Sequence, residues 1–436
     1  MRQGLLAVLV LLLPGLAAAS ATGEIAAHKH MGVATCGNSV CHGSAQAFKD
    51  SNVMQNEFAL WQSFDPHANK AFQALNTPEG QAIAKKLGLG NAAEAKICLD
   101  CHSDNVASGD RGDKFQMSDG IGCEACHGGA EQWISSHAAK GATHADNLAK
   151  GLYPTENPVR RAELCLTCHM GTGDRMITHR IMGAGHPRLS FELDTFTWLK
   201  PHYQVDADYI QRKGDFNGLR DWGLGQGVAA SNLLDLLMDD KNGWTGIFPE
   251  LVLFDCHACH KSMGAKKWGP RQGTGLGPGV VRLNDSNLVM FRHVLAAVDP
   301  AAAKTVLDQT RALHQATTRD RASTLAAAKT LRDTIRGELN QVAVYPFGAE
   351  SMSLILKSIE ADAERGEFRD FSAAEQAAMA AQSVVVAFNN AGRIDEARNK
   401  VLQGKVDAVY KAVERDDTYE MGRFTSALRE LRAAAP

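Results

Sequence analysis

The sequence has no excess of basic charge. Its 46 lysines and arginines are balanced by 49 aspartates and glutamates, which gives a formal net charge of −3. Nucleic-acid-binding domains usually carry a basic patch or stripe that follows the phosphates. No such stripe is present along this chain, so we expect no nucleic-acid partner.

Long apolar runs are absent after the N-terminus. An apolar run over residues 5–16 follows a basic start at Arg2 and precedes a segment of small residues. About twelve apolar residues are too few for a membrane anchor, which must cross roughly 30 Å of hydrocarbon. The order basic, apolar, small is typical of a secretory signal peptide, with cleavage after Ala19 or Ala21. We therefore predict a signal peptide over residues 1–21 and a mature protein without transmembrane segment, located in the periplasm or outside the cell.

No cysteine lies outside one kind of motif. The ten cysteines form five clusters, and every cluster ends in Cys-His. Four clusters read CLDCH, CEACH, CLTCH and CHACH, and the fifth is the longer CGNSVCH. In an oxidising compartment ten cysteines would normally suggest disulfides, but a disulfide framework has no reason to place histidine after every second cysteine.

C-x-x-C-H is the attachment signature of c-type haem. The two thiols add across the haem vinyl groups, and the adjacent histidine becomes the proximal iron ligand. Zinc sites would instead combine pairs of C-x-x-C units and leave one unit over. We predict five covalently attached haems c on Cys36, Cys41, Cys98, Cys101, Cys123, Cys126, Cys165, Cys168, Cys256 and Cys259, with proximal ligands His42, His102, His127, His169 and His260.

The first cluster has two extra residues between its cysteines. Gly37, Asn38 and Ser39 favour turns, which would let the backbone bulge while both thiols reach the vinyl groups. The alternative is a disulfide that closes a very small loop.

Eleven further histidines are available for the far faces of the irons. A haem with two histidines transfers electrons, whereas an open iron can bind a small molecule and a methionine ligand would raise the potential. Further candidates for distal ligands are His202, His257 and His293, whereas His144 and His314 look solvent-facing. The predicted distal ligands are His67, in a stretch that looks helical, His137, His179, His186 and His30.

Three motifs resemble the cytochrome c-554 family, whose type member is a tetrahaem electron carrier that serves hydroxylamine oxidoreductase. They are WQSFDPHANKAFQAL, CLDCH and GIGCEACHG. In the last of these, His127 is followed ten residues later by His137. The resemblance covers residues 30–205. The longer first motif, the CHACH haem and the C-terminal extension depart from the family.

The resemblance also implies ligand pairs. It places His67 opposite the haem of His127 and His137 opposite the haem of His42. It leaves the far face of the His102 haem open. It assigns the haem of His169 to one of the downstream histidines, which are His179, His186 and His202.

The predicted fold class is mainly α. Residues 22–285 would form a pentahaem domain of short helices and loops around closely stacked haems, including a helix over residues 227–241. The Gly/Pro-rich segment 263–285 reads as a solvated loop, with a basic docking patch at Lys266, Lys267 and Arg271 as the alternative.

The chain from residue 286 onwards contains neither cysteine nor tryptophan. Its apolar residues recur at helical spacing, which predicts a separate haem-free bundle of five or six helices over residues 286–436. Asp299 and Pro300 predict one helix start. The sequence SAAE over residues 372–375 predicts a capping box at another.

These features favour an electron carrier that acts between other periplasmic or membrane redox proteins. One alternative is an oxidoreductase that acts on a small nitrogen or oxygen species at a five-coordinate haem. The absence of C-x-x-C-K and of a tyrosine placed to cross-link a haem argues against it, and we predict no catalytic residues. The other alternative is an oligomer, a subunit of an extracellular cytochrome filament.

Overall fold

The computed structural model describes residues 20–49, 51, 53–199, 201–260 and 269–436. Within these ranges the protein is mainly helical, as predicted. Most of the predicted signal peptide, over residues 1–19, lies outside the described residues, and so do Lys266 and Lys267. No helix in the described ranges combines the length and the apolar character that crossing a bilayer requires.

The first half of the chain consists of short helices separated by turns. Three-residue 3₁₀ helices lie at Ala74–Asn76, Ala92–Glu94, Ser108–Asp110, Met117–Asp119 and Ala130–Gln132. The α-helices are α1 (Ala21–Ile25), α2 (Val33–Cys36), α3 (Glu57–Phe64), α4 (Asn69–Gln73), α5 (Pro78–Leu87), α6 (Lys96–His102), α7 (Glu124–His127), α8 (His144–Ala149), α9 (Pro158–His169), α10 (His179–Ala184), α11 (Leu193–Leu199) and α12 (Ala207–Lys213).

The apolar core of this half is small. It consists of three clusters with only four or five buried side chains each. Burial of apolar surface is the main source of folding free energy. A domain of this size with so little protein core needs another apolar component, which is what large porphyrins would supply.

Longer helices follow in the second half. A two-residue hairpin, β1 (Trp244–Thr245) and β2 (Phe248–Pro249), pairs Trp244 with Pro249. Short 3₁₀ helices lie at Leu251–Leu253 and Gln272–Thr274. The α-helices are α13 (Gly218–Met238), α14 (Cys256–Cys259), α15 (Ser286–Val298), α16 (Pro300–Ala316), α17 (Arg321–Val344), α18 (Ala349–Arg365), α19 (Phe371–Asn390), α20 (Glu396–Ala412) and α21 (Met421–Ala434).

One large apolar core joins α13 to α15–α21. Trp222 and Leu234 of α13 are fully buried in the same cluster as Phe291 and Phe388. Helix α13 is buried along nearly its whole length, as expected for a helix that is apolar on most sides. The core therefore crosses the predicted domain boundary at residue 285. The part after that boundary contains seven helices rather than five or six.

Helix starts follow local capping chemistry. Asp299 caps α16 as predicted, because its carboxylate accepts the N–H groups of Ala301 and Ala302 at 2.9 and 3.0 Å. The helix predicted over residues 227–241 begins earlier, at Gly218, behind the cap Asn217. The predicted capping box of α19 is wrong. The helix begins at Phe371, and Glu375 instead binds Arg188 with both carboxylate oxygens at 2.9 Å.

The described part of the segment between α14 and α15, from residue 269, packs against the helical bundle and is not a solvated loop. Arg271 is only 2% exposed. It donates to Asp285 at 2.6 and 2.8 Å and to Asp370 at 3.1 Å. A buried guanidinium needs such carboxylate partners. Arg271 therefore contributes nothing to a basic docking surface.

Candidate haem sites

Each of the five motif histidines faces one other histidine. The partners come from distant parts of the chain. The ring centres are separated by 6.3 Å for His42 and His137, 6.3 Å for His102 and His186, 6.3 Å for His127 and His202, 5.7 Å for His169 and His67, and 6.1 Å for His260 and His179.

These separations fit one metal ion between two imidazoles. A metal–nitrogen bond to histidine is about 2 Å long, and the ring centre lies about 1 Å further away, so two opposed rings have centres about 6 Å apart. The observed values lie between 5.7 and 6.3 Å. The donor set suits the iron of a c-type haem, because thiols for attachment and an imidazole for each axial position are present.

The outer ring nitrogen is held by oxygen in several of these histidines, which fixes the ring orientation and leaves Nε2 free to bind a metal. Nδ1 of His67 pairs with the carboxylate of Asp65 at 3.1 Å. The other four contacts are His42 to Glu57 at 2.9 Å, His102 to the carbonyl of Ala71 at 2.8 Å, His137 to that of Ile134 at 2.7 Å, and His186 to that of Pro187 at 2.8 Å.

The protein environment also shifts the pKa of several of the paired histidines. Burial lowers the pKa of His127 to about 3 and that of His169 to about 4. Both rings are therefore neutral at pH 7, which is the form that binds metals. In contrast, hydrogen bonds to Glu57 and Asp65 raise the pKa of His42 and His67, respectively.

His67 lies in a turn and not in the predicted helix. Proline lacks an N–H and restricts the residue before it, so Pro66 cannot continue a helix from residue 64. Helix α3 accordingly ends at Phe64. The carboxylate of Asp65 accepts the backbone N–H of His67 at 2.9 Å. The turn holds the imidazole at one position instead of leaving it on a helix face.

The turn is attached to the CEACH motif through the backbone. The N–H of Ile121 donates to the carbonyl of His67 at 2.7 Å. Gly120 next to it has a φ of 79°, and a Cβ atom there would lie 2.4 Å from the carbonyl oxygen of Ala68. Only glycine fits at this position, so the sequence GIG before CEACH serves to bring the two segments together.

The longer first motif forms a turn, as its composition predicts. Helix α2 ends at Cys36, and the N–H groups of Cys41 and Gly43 both donate to the carbonyl of Asn38 at 2.9 Å. The Asn38 side chain accepts from the N–H of Val40 at 3.1 Å. None of the ten cysteines, all of which lie among the described residues, forms a disulfide, including Cys36 and Cys41.

His30 does not face a motif histidine, which corrects its assignment as a distal ligand. It is fully buried. Its Nδ1 pairs with Asp104 at 2.6 Å, and its Nε2 contacts the carbonyl of Ile25 at 3.0 Å. Both ring nitrogens are used within the protein, so His30 has a structural role. His202, which the sequence left among the further candidates, completes the fifth pair.

The ligand pairs implied by the family resemblance are met in part. His137 faces His42, as implied. His67 faces His169 rather than His127. The implied open face of His102 is covered by His186. The sequence could not show these pairings, because each depends on how distant turns pack.

Four further histidines contact other protein groups. The ring of His257 packs beside Phe371 and Tyr419 at 5.9 and 6.4 Å. His144 pairs with Glu156 at 2.8 Å. His293 contacts the Ser358 hydroxyl at 2.8 Å, and His314, predicted to face solvent, is buried with Nδ1 on the carbonyl of Thr310 at 2.9 Å.

Three buried carboxyl groups lie between α9, α11 and α13. They are Glu192, Asp194 and Asp221, and only Asp221 has a guanidinium partner, Arg161 at 2.6 Å. Burial, with Glu192 and Asp221 close by, raises the pKa of Asp194 from 3.8 to about 8. The folded protein therefore holds a proton on Asp194 at pH values where the unfolded chain releases it.

The variant Asp194→Asn should become more stable than the wild type as pH rises. The folded pKa lies above the unfolded one, so wild-type stability falls between pH 3.8 and about 8 and is flat above. Asparagine removes this loss, and we expect a gain of up to about 6 kcal/mol at the alkaline end and none at the acid end. Denaturant titrations across the window measure it, with Asp320→Asn, at an exposed helix cap, as the control. An equal effect at all pH values would contradict the assignment.

Comparison with known proteins agrees with part of the chain. Residues 35–128 match the family model described as cytochrome c554 and c-prime. This stretch contains the first three motifs, so the chain is similar to c-type cytochromes over less than a quarter of its length. Neither the curated proteins nor the solved structures include a match to the chain.

Proposed function

We propose that the protein is an exported pentahaem c-type cytochrome that carries electrons between periplasmic or membrane redox partners. The observation that carries this proposal is the presence of a second histidine opposite every motif histidine, at ring-centre distances of 5.7 to 6.3 Å. Five attachment motifs and five such pairs give one site per haem.

Bis-histidine ligation favours a carrier over an enzyme. A haem with histidine on both faces has no open position for a substrate, and without a methionine ligand its potential stays low. His102, whose haem was the candidate for an open iron, has His186 at 6.3 Å. No specific observation favours a reaction at one of the irons.

Contacts between motifs support a linear order of the haems. We number the haems 1 to 5 by their motifs, from CGNSVCH to CHACH. Glu124 of motif 3 accepts the N–H of Gly32, four residues before Cys36 of motif 1, at 2.7 Å, and the Cys168 thiol of motif 4 lies 3.7 Å from the carbonyl oxygen of Asp100 in motif 2. Haems 1 and 3 are therefore neighbours, and so are haems 2 and 4.

The two pairs are joined and then extended to haem 5. Cys126 of motif 3 packs against the apolar cluster that contains Leu164, the residue before Cys165 of motif 4. His179, opposite the haem 5 ligand, begins α10, and His186, opposite the haem 2 ligand, follows two residues after its end. The six residues of α10 span about 9 Å. The order that follows is 1-3-4-2-5, with electrons entering at one end and leaving at the other.

The contacts of residues 20–24 favour Ala19 over Ala21 as the cleavage site of the proposed signal peptide. The hydroxyl of Ser20 accepts the N–H of Gly23 at 3.2 Å and caps α1. Ala21 is buried against the side of α9, and Glu24 pairs with Arg160 at 2.5 Å. Cleavage after Ala21 would remove both the cap and the buried methyl group, so the mature chain should begin at Ser20.

Intact-mass spectrometry of the exported protein tests the proposal. We expect one species that begins at Ser20 and carries five haem increments. The double variant Cys36→Ser/Cys41→Ser should carry four, which identifies CGNSVCH as an attachment site. A wild-type mass with four increments, unchanged in the double variant, would exclude a haem on this motif.

A further inference from the structure

The helix that carries the haem 5 cysteines begins with a buried carboxyl group. Asp255 is 4% exposed. Its carboxylate accepts the N–H of His257 at 2.8 Å and so caps α14, immediately before Cys256. Its own N–H donates to the carbonyl of Arg282 at 2.9 Å, which places it against the segment that leads into the helical bundle.

The guanidinium groups near Asp255 are engaged by other carboxylates. Arg271 binds Asp285 and Asp370, and the same arginine reaches Glu367 at 3.4 Å. Arg282 binds Asp370 at 2.6 and 3.0 Å. Three buried carboxylates thus pair with two guanidinium groups, and Asp255 is a fourth buried carboxyl group with no ion pair among the described residues, which leaves an excess of negative charge in a region of low polarisability. Such a group of carboxylates favours the protonated form of the one that is least well paired.

Asp255 is that member of the group. Burial, and then the charge of Asp370, raise its pKa from 3.8 to about 7. Other titratable groups around the network are His314, whose Nε2 lies 3.8 Å from Asp285, and the Arg188 and Asp416 side chains near Cys256. The Nε2 of His314 is buried and makes no hydrogen bond of normal geometry.

A cavity connects this network to solvent. It has a volume of about 130 Å³ and is lined by Arg271, Asp285 and Glu367 on one side and by Thr310 and the exposed Arg311 on another. A cavity of that size with polar walls has room for several water molecules. Water in the cavity can therefore bring protons to the Arg271, Asp285 and Glu367 side of the network, which Arg271 joins to Asp370 at 3.1 Å.

We propose that Asp255 is a proton-binding site coupled to haem 5, taking up one proton from solvent when that haem is reduced and releasing it on oxidation. The inference rests on the proposed function, since it requires a haem on Cys256 and Cys259. One electron from the donor converts ferric to ferrous iron, one proton converts the Asp255 carboxylate to the acid, and the local charge stays constant. Reduction places negative charge beside the carboxylate, which raises its affinity for the proton.

The test compares Asp255→Asn with the wild type in spectropotentiometric titrations at a series of pH values around neutrality. Asparagine caps helices about as well as aspartate, so α14 is retained. In the wild type one of the five potentials should fall by up to about 59 mV for each tenfold fall in proton concentration. In Asp255→Asn this dependence should be lost. Asp320→Asn, an exposed cap far from the motifs in sequence, should behave like the wild type.

Two further readouts complete the test. A pH dependence unchanged in Asp255→Asn would overturn the inference, provided that the intact mass shows five haems. A mass with four haems and no haem on CHACH would instead refute the proposed function at this motif. If the variant does not fold, the reduced-minus-oxidised infrared spectrum of the wild type decides. A carboxylic acid band that appears on reduction and shifts in deuterium oxide is expected, and its absence would overturn the inference.

Discussion

Replacing His202 with alanine should convert one of five low-spin haems into a high-spin haem. The ring of His202 lies 6.3 Å from that of His127, and alanine leaves the far face of haem 3 without its imidazole. The reduced variant should then bind one equivalent of carbon monoxide, whereas the wild type should bind none. Optical difference spectra with carbon monoxide measure both.

The matched control is His30→Ala. Both ring nitrogens of His30 have protein partners, Asp104 and the carbonyl of Ile25. This variant should lose stability, because a buried carboxylate loses its partner, but all five haems should stay low-spin. Carbon monoxide binding by His30→Ala, with none by His202→Ala, would reverse the assignment of the fifth pair.

The second large effect concerns Arg271→Met. Methionine has a similar length but leaves Asp285 without its guanidinium partner and removes one of the two partners of Asp370. Removing one member of a buried ion-pair network typically costs about 3–5 kcal/mol. We expect a loss of that size in the free energy of unfolding, measured by denaturant titration of the haem-loaded protein.

Arg212→Met is the control for that variant. Arg212 pairs with Asp208 on an exposed helix surface, where such pairs contribute little. A similar loss of unfolding free energy in both variants would mean that the buried network around Arg271 stabilises the protein no more than an exposed ion pair does. The Arg271 variant should also shift the pH dependence assigned to Asp255, because one nearby positive charge is removed.

The attachment sites remain a prediction of the sequence, made because covalent haem chemistry requires cysteine and histidine at fixed spacing. The sequence indicates the histidine pairs seen in the structure less completely. His67, His137, His179 and His186 were identified as a set, but their partners depend on turns such as the one at Pro66 and on close approaches such as that of Gly120 to Ala68. No local pattern distinguishes His202 from His30, and only burial with Asp104 shows that His30 is structural.

The fold was also predictable only where local sequence decides it. Helices with a strong cap, such as α16 behind Asp299, were predicted at the correct residue. Helix α19 was not, because Glu375 binds Arg188 from a distant segment instead of its own helix start. The apolar core that α13 shares with α15–α21 also could not be read from composition. The core between α13 and the later helices depends on tertiary packing, which overrides local changes in residue type.

Low-temperature electron paramagnetic resonance of the oxidised wild-type protein tests the central claim, that all five haems have two histidine ligands. The rings are close to parallel in two pairs, at 15° and 28°, and close to perpendicular in three, at 81°, 82° and 88°. The angle between the ligand planes sets the anisotropy of a ferric low-spin signal. The account predicts two rhombic and three strongly anisotropic low-spin haems and no high-spin haem. A high-spin signal that integrates to one haem per chain would contradict it.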